Sequence, residues 1–205
     1  KETLKSLASD VIRTGGTTVI VCLDSDFEHH LGIGLVHHTI AYTYGYSWEN
    51  DIVKIAVLKQ VFLSLLPNTP ENIDAASDLE REINSIIADL RKWCEVDFNL
   101  VARKLGSLFE RSKPLSLHDL SRVPPCVDKT RLANRLGKLG YRRCPPRKLR
   151  FPDADAWRHR CGKVISNLAY QVVSRRLKAR DHKAQVTYDT FVRLCINETF
   201  RLIDR

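Results

Sequence analysis

The chain has 205 residues, of which 43% are hydrophobic and 28% are charged, so it can form a packed core and is not disordered as a whole. No apolar run approaches the roughly 20 residues of a membrane-spanning helix, and the first residues lack the apolar stretch of a secretory signal. The six cysteines are widely spaced without a CxxC motif, a pattern typical of reduced thiols. We therefore expect a cytoplasmic protein without a membrane segment.

The net charge of +9 is unevenly distributed along the chain. Residues 1–128 contain 13 Lys and Arg against 18 Asp and Glu, whereas residues 129–205 contain 20 against 6. Such asymmetry favours a polyanionic partner, such as nucleic acid, for the C-terminal part. The alternative is a solvated basic surface, or one that meets an acidic protein.

The first third of the chain alternates helical and strand patterns. Apolar residues recur at helical spacing over residues 2–13, and a β-branched, apolar run over residues 17–23 is typical of a strand buried on both faces. A second strand is predicted over residues 39–44. This order predicts an α/β fold with a parallel sheet. Two strands make a marginal sheet.

The rest of the chain is mainly helical by pattern. A helix is predicted from the N-cap residue Ser47 to about Leu66. The further helices are expected over Pro70 to about Glu110, 129–138, Asp153 to about Lys178, and about 187–203, and Asp128 is the predicted N-cap of the helix over 129–138. Residues 111–127 contain three prolines and are predicted to be a linker. We thus expect a core in residues 1–66, a helical insertion with linker in 67–127, and a basic helical region in 128–205.

Asp24 and Asp26 directly follow the first predicted strand. In a parallel sheet, ligands bind beyond the carboxyl ends of strands, and alternate residues of an extended segment point to the same side. Two carboxylates placed in this way suit a hard divalent cation such as Mg²⁺. The alternative is an acidic turn in which one aspartate caps the following segment.

Three blocks of the sequence resemble one protein family. Residues 19–28, with the sequence VIVCLDSDFE, look like the strand and DxD motif of TOPRIM domains. Residues 39–50 resemble the T-x-x-Y-S-x-E-N block of a TOPRIM-like nuclease family that is paired with an AAA-type ATPase in PARIS-type anti-phage defence. Residues 160–163, with the sequence RCGK, resemble the R-G-K that opens a late helix in that family. The blocks occur in the family's order and cover most of the chain.

The resemblance implies a TOPRIM-like parallel sheet core and a cytoplasmic nuclease effector that cleaves RNA, with tRNA as the substrate class, when released by its ATPase partner. It implies Mg²⁺, with Mn²⁺ as an alternative, held by Asp24 and Asp26. TOPRIM catalysis also needs a glutamate on an earlier strand, which has no match here because Glu2 lies on a predicted helix. Together with the absence of methionine and the shortage of strands, this leads us to expect a missing upstream strand.

Further candidate residues surround this motif. Glu49 could be a third catalytic or metal-binding acid, or a helix-dipole acid in the first turn of its helix. Lys163 follows Gly162 at a helix start, where it could bind phosphate or reach the acidic site. A basic, aromatic-containing stretch could contact nucleic acid through Arg142, Arg143, Arg147, Lys148 and Arg150. The alternative is that its aromatic residues belong to the core and its basic residues face solvent. Arg175 and Arg176 add charge near the end of a later helix.

Other metal sites have weaker support. His29, His30, His37 and His38 occur in a glycine-containing loop without defined spacing, and we expect a solvated loop there. Cys126, Cys144, His159 and Cys161 lack zinc-ligand spacing.

Two other functions remain open. The chain could be a non-catalytic binding or regulatory subunit with a degenerate TOPRIM core, or a TOPRIM DNA nuclease or primase-like enzyme. A homodimer is one option for its assembly.

Overall fold

The computed structural model describes residues 2–15, 18–25, 27, 31–44, 47–110, 112–141 and 161–203. It begins with helix α1 (Glu2–Thr14), followed by strands β1 (Val21–Leu23) and β2 (Ile40–Tyr42). The two strands pair in parallel, with Val21 opposite Ile40 and Leu23 opposite Tyr42. The α/β class and the parallel pairing predicted from sequence are therefore confirmed, although both strands are shorter than predicted.

The two strands and α1 share a small core of their own. Ala8 and Val11 of α1 are buried with Val21 and Leu23 of β1. The strand shows the expected alternation, since Val21 and Leu23 face the core and the exposed Cys22 between them faces the other side. Because the two strands of this parallel pair run in the same direction, their carboxyl ends lie at the same edge of the sheet.

Six further helices follow among the described residues. They are α2 (Trp48–Ile52), α3 (Ile55–Ser64), α4 (Pro70–Ala102), α5 (Lys129–Lys138), α6 (Gly162–Arg180) and α7 (Tyr188–Ile203). The single helix predicted from Ser47 to Leu66 is divided at Val53 and Lys54. The helix predicted to reach Glu110 ends at Ala102, where Lys104 and Gly106 adopt positive φ. Residues 153–160, predicted to begin α6, lie outside the described residues.

A short antiparallel hairpin occupies part of the segment predicted as a linker. Strand β3 (His118–Asp119) pairs with β4 (Cys126–Val127), and His118 and Val127 are buried. The Asp89 carboxylate of α4 accepts a hydrogen bond from the Val127 amide (3.1 Å), which attaches the hairpin to the long helix. The Asp128 carboxylate caps α5 by accepting from the Thr130 amide (2.8 Å), as the sequence predicts.

The main hydrophobic core lies between helices α3, α4, α6 and α7. Its fully buried members include Phe62 of α3, Leu79 of α4, Val172 of α6 and Phe191 of α7. Phe27, which follows the acidic segment, also enters this core and packs edge-to-face on Phe98 (ring centroids 5.1 Å apart). The segment that leaves β1 is thereby anchored to the helical part of the molecule.

An ion-pair cluster joins α4 to α6. Glu82, whose side chain is only 4% exposed, pairs with both Arg175 and Arg176, and the Arg176 Nε atom lies 2.8 Å from its carboxylate. These two arginines therefore stabilise helix packing, and their expected role as a basic helix end gives way to this internal contact.

Among the described helices, none combines the length and the apolar character that crossing a membrane requires.

Candidate functional site

Asp24 lies at the carboxyl end of β1 and contacts the start of α2. Its Oδ1 atom accepts a hydrogen bond from the backbone amide of Trp48 (3.3 Å). The next amide, that of Ser25, donates to Thr43 Oγ1 just beyond β2 (3.0 Å). The acidic segment is thus tied to the residues that follow both strands, at the edge where a parallel sheet places its ligands.

The first turn of α2 forms a buried polar cluster. The Ser47 hydroxyl donates to Glu49 Oε2 (2.5 Å), and the Ser47 amide donates to Asn50 Oδ1 (3.0 Å). All three residues are buried. A carboxylate removed from water needs such a donor, and it also gains from the positive end of its own helix dipole.

Helix α6 begins directly against this cluster. A Cβ atom added to Gly162 would stand 2.0 Å from Ser47 Oγ, 2.8 Å from Asn50 Oδ1 and 3.0 Å from Glu49 Cβ. Only glycine allows α6 to begin this close to the side chains of the α2 turn. Glu49 consequently lies near the N-termini of two helices, α2 and the 19-residue α6, and both dipoles favour its negative charge.

Helix α7 completes the surroundings of Glu49. The Tyr188 hydroxyl is 2.8 Å from Ser166 Oγ on α6. Burial raises the pKa of Tyr188, and the negative charge of Glu49 raises it further, while the Ser166 hydrogen bond acts in the opposite direction. Thr199 Oγ1 of α7 also donates to the Ile52 carbonyl at the end of α2 (3.4 Å).

The structure brings together three of the residues nominated from sequence. Asp24 contacts the amide of Trp48, Glu49 is the next residue, and Lys163 is exposed beside Gly162 at the start of α6. The second and third blocks of the family resemblance therefore lie in direct contact. The remaining nominated residues lie outside the described residues: Asp26, Arg142, Arg143, Arg147, Lys148 and Arg150.

Asp24 has the donor chemistry that a hard divalent cation needs. Its side chain is partly exposed at the sheet edge and supplies two carboxylate oxygens. One of them, Oδ1, accepts the hydrogen bond from the Trp48 amide. Mg²⁺ commonly uses one or two protein carboxylates and keeps several waters. Within the described ranges, no group of three or more His, Cys, Asp or Glu is placed to hold a metal. Of the acids in these ranges, Asp24 is the one at the sheet edge that a metal could use together with water.

The other metal candidates do not converge in the described part of the chain. The His37 Nδ1 atom is 2.7 Å from Thr39 Oγ1, and its ring lies against that of His38. Cys126 belongs to β4, whereas the buried Cys161 precedes α6. His29, His30, Cys144 and His159 lie outside the described residues.

The residue of the cluster with the tightest contacts, Gly162, was not predicted from the sequence. Gly162 was noted only as the neighbour of Lys163, because a close approach between residues 115 positions apart leaves no local signal. The one sign of this contact in the sequence was that both segments belong to blocks resembling the same family.

Comparisons with protein-family models, curated proteins and solved structures find no match.

Proposed function

We propose that this protein is a metal-dependent nuclease of the TOPRIM type that cleaves RNA, with tRNA as the expected substrate, and that an AAA-type ATPase partner controls it in anti-phage defence. The observation that carries the proposal is the placement of Asp24. It ends a parallel strand and is hydrogen-bonded to the helix turn that carries Glu49. The proposal rests on this placement together with the three family-like sequence blocks.

Each acid has a different task in the proposed site. Asp24, with Asp26 from the same motif, would hold Mg²⁺ or Mn²⁺, and the bound metal supplies positive charge opposite the scissile phosphate. Glu49 is buried and accepts a hydrogen bond from the Ser47 hydroxyl. It thereby fixes the turn in which the Trp48 amide donates a hydrogen bond to Asp24. In this arrangement Glu49 supports the site from within.

The C-terminal region would bind the phosphate backbone. Lys163 is exposed at the start of α6, and Gly162 beside it contacts Ser47 of the acidic cluster. The basic residues from Arg142 to Arg150 precede this helix in sequence. Cations close to an acidic, metal-binding edge would bring a polyanion to the carboxylates that otherwise repel it.

The test is cleavage of tRNA, total RNA and plasmid DNA by the full-length protein, with and without its ATPase partner and Mg²⁺. An Asp24→Ala, Asp26→Ala double variant should lose metal-dependent RNA cleavage by at least about a hundredfold. A double variant of two exposed helical aspartates, Asp10→Ala and Asp74→Ala, controls for the loss of two negative charges.

Three outcomes would contradict the proposal in different ways. Full activity of the Asp24, Asp26 variant would remove these residues from catalysis. Cleavage of DNA alone would favour the DNA-directed TOPRIM enzyme. Absence of cleavage by the wild type under all conditions would favour the non-catalytic binding subunit, since the Asp24–Trp48 hydrogen bond also suits a purely structural role.

A further inference from the structure

Two residues with exposed aromatic side chains lie next to the contacts of Asp24 and Ser25. Trp48 is 42% exposed and Tyr44 is 71% exposed. The Trp48 amide donates to Asp24, while Tyr44 follows Thr43, whose hydroxyl accepts from the Ser25 amide. Each ring therefore belongs to a residue that bonds to the Asp24–Ser25 segment or adjoins one that does.

The exposure of Trp48 contrasts with its surroundings. Ser47, Glu49 and Asn50 are polar and buried, whereas the largest apolar side chain of this short helix is partly in water. Burial of an aromatic ring is normally a major source of stability, so this arrangement reverses the usual preference. Single exposed apolar residues are common, but here one exposed aromatic residue bonds to Asp24 through its amide and a second follows the residue that bonds to Ser25.

We propose that Trp48 and Tyr44 stack on unpaired bases next to the phosphate that Asp24 faces, so that the site selects single-stranded segments of RNA. This inference rests on the proposed function and specifies its substrate. Aromatic rings bind the faces of splayed bases, which a duplex keeps covered by its own stacking. Lys163, exposed beside the same cluster, offers a cation for the adjoining backbone.

The experiment is a binding measurement in EDTA, so that it does not depend on cleavage. Fluorescence anisotropy of a short labelled oligouridylate would be compared with that of a blunt RNA duplex of equal length, using the full-length protein. We expect the single strand to bind more tightly. Trp48→Ala and Tyr44→Ala should each weaken its binding by roughly tenfold, and Trp48→Phe should restore most of the loss, because a ring remains.

Two further measurements separate stacking from general damage. Leu120→Ala removes an apolar side chain of the same 42% exposure, on the β3–β4 connection, and should bind like the wild type. Oligouridylate should also quench tryptophan fluorescence in the wild type more than in Trp48→Phe, whose remaining tryptophans are Trp93 and Trp157. Thermal unfolding of each variant checks its folding.

The outcomes distinguish this inference from the nuclease proposal. Wild-type binding by both alanine variants, or tighter binding of the duplex, would overturn base stacking even if Mg²⁺-dependent cleavage occurs. Loss of single-strand binding in these variants would support stacking even if the protein cleaves nothing.

Discussion

Gly162 lies so close to Ser47 that a Cβ atom at position 162 would stand 2.0 Å from the serine Oγ. This contact joins the start of α6 to the turn that holds Glu49, and Asp24 bonds to the same turn through the Trp48 amide. The sheet edge and the C-terminal helices therefore meet at one glycine. A side chain at that position must displace either the start of α6 or the side chains of the α2 turn.

We expect Gly162→Ala to destabilise the protein by about 1–3 kcal/mol and to lower RNA cleavage, because the added methyl either moves α6 or turns the Ser47 hydroxyl away from Glu49. Urea denaturation measures the first effect and initial cleavage rates measure the second. Gly137→Ala is the matched control, since Gly137 lies inside α5 and, in the described part of the chain, no atom beyond its own helix backbone lies within 4 Å of an added Cβ. That variant should be neutral or stabilised by up to about 1 kcal/mol, because alanine is the better helix former. Equal behaviour of the two variants would show that the close approach is unimportant.

Local patterns were sufficient to predict most of the elements. Apolar residues at helical spacing predicted α1 and α7 nearly to their ends, and the β-branched run before Asp24 predicted a strand that pairs in parallel. Asp128 was recognised as an N-cap, and its carboxylate accepts from the following turn. These features depend on residues within a few positions of one another, which is why the sequence alone indicates them.

Features that depend on distant partners were not predictable. Arg175 and Arg176 looked like a basic helix end, yet their partner Glu82 lies 93 and 94 positions earlier. The hairpin that contains His118 was hidden in a proline-containing segment, because its strands have only two residues each. At the candidate site, the motif indicated Asp24, but the exposure of Trp48 required the packed structure.

The Glu82 cluster provides a test of the packing between α4 and α6. Glu82→Gln should cost about 1.5–3 kcal/mol in the free energy of unfolding, because Arg175 loses its counter-charge and Arg176 keeps only the carboxylate of Asp78, 3.9 Å away. The adjacent Arg81→Ala removes a pair with Asp78 whose arginine is largely exposed, and should change stability by less than about 1 kcal/mol. Chemical denaturation of both variants gives the comparison. A similar small effect for Glu82→Gln would mean that the arginines find other partners or water.

Buried His118 predicts a loss of stability in mild acid. The side chain is 2% exposed, and neither ring nitrogen has a hydrogen-bond partner in the described part of the chain. Burial lowers the pKa of His118 to about 4 from an ordinary value of 6.5, although the charge of Asp89 acts in the opposite direction. The unfolded state therefore binds a proton first as the pH falls. The stabilising contribution is complete above pH 6.5 and is lost as the pH falls through about 4.

His118→Phe should remove this dependence, because phenylalanine keeps the ring against Phe109 without a titrating group. Between pH 6.5 and 4 the wild type should lose on the order of 3 kcal/mol relative to the variant. Denaturant titrations at several pH values measure the difference. The exposed His182→Ala variant should follow the wild-type profile. Parallel profiles for wild type and His118→Phe would place the His118 pKa near its ordinary value.

Asp97 predicts a pH dependence of opposite sign. It is buried on α4 and accepts hydrogen bonds from the Leu108 amide and the Ser107 hydroxyl. Burial nevertheless raises its pKa from 3.8 to about 6, while these hydrogen bonds and the charge of Arg135 limit the increase. The folded state thus keeps this proton longer than the unfolded state. Its contribution is complete below pH 3.8 and is lost as the pH rises through about 6.

Asp97→Asn retains an oxygen acceptor for Ser107 and the Leu108 amide and carries no charge at any of these pH values. Between about pH 4 and 7 the wild type should therefore lose on the order of 2–3 kcal/mol relative to Asp97→Asn, and the variant should be the more stable protein at neutral pH. Unfolding free energies across this range provide the measurement, with exposed Asp74→Asn as the control. A wild type that gains stability relative to Asp97→Asn as the pH rises would show that the hydrogen bonds outweigh burial and hold the carboxylate charged.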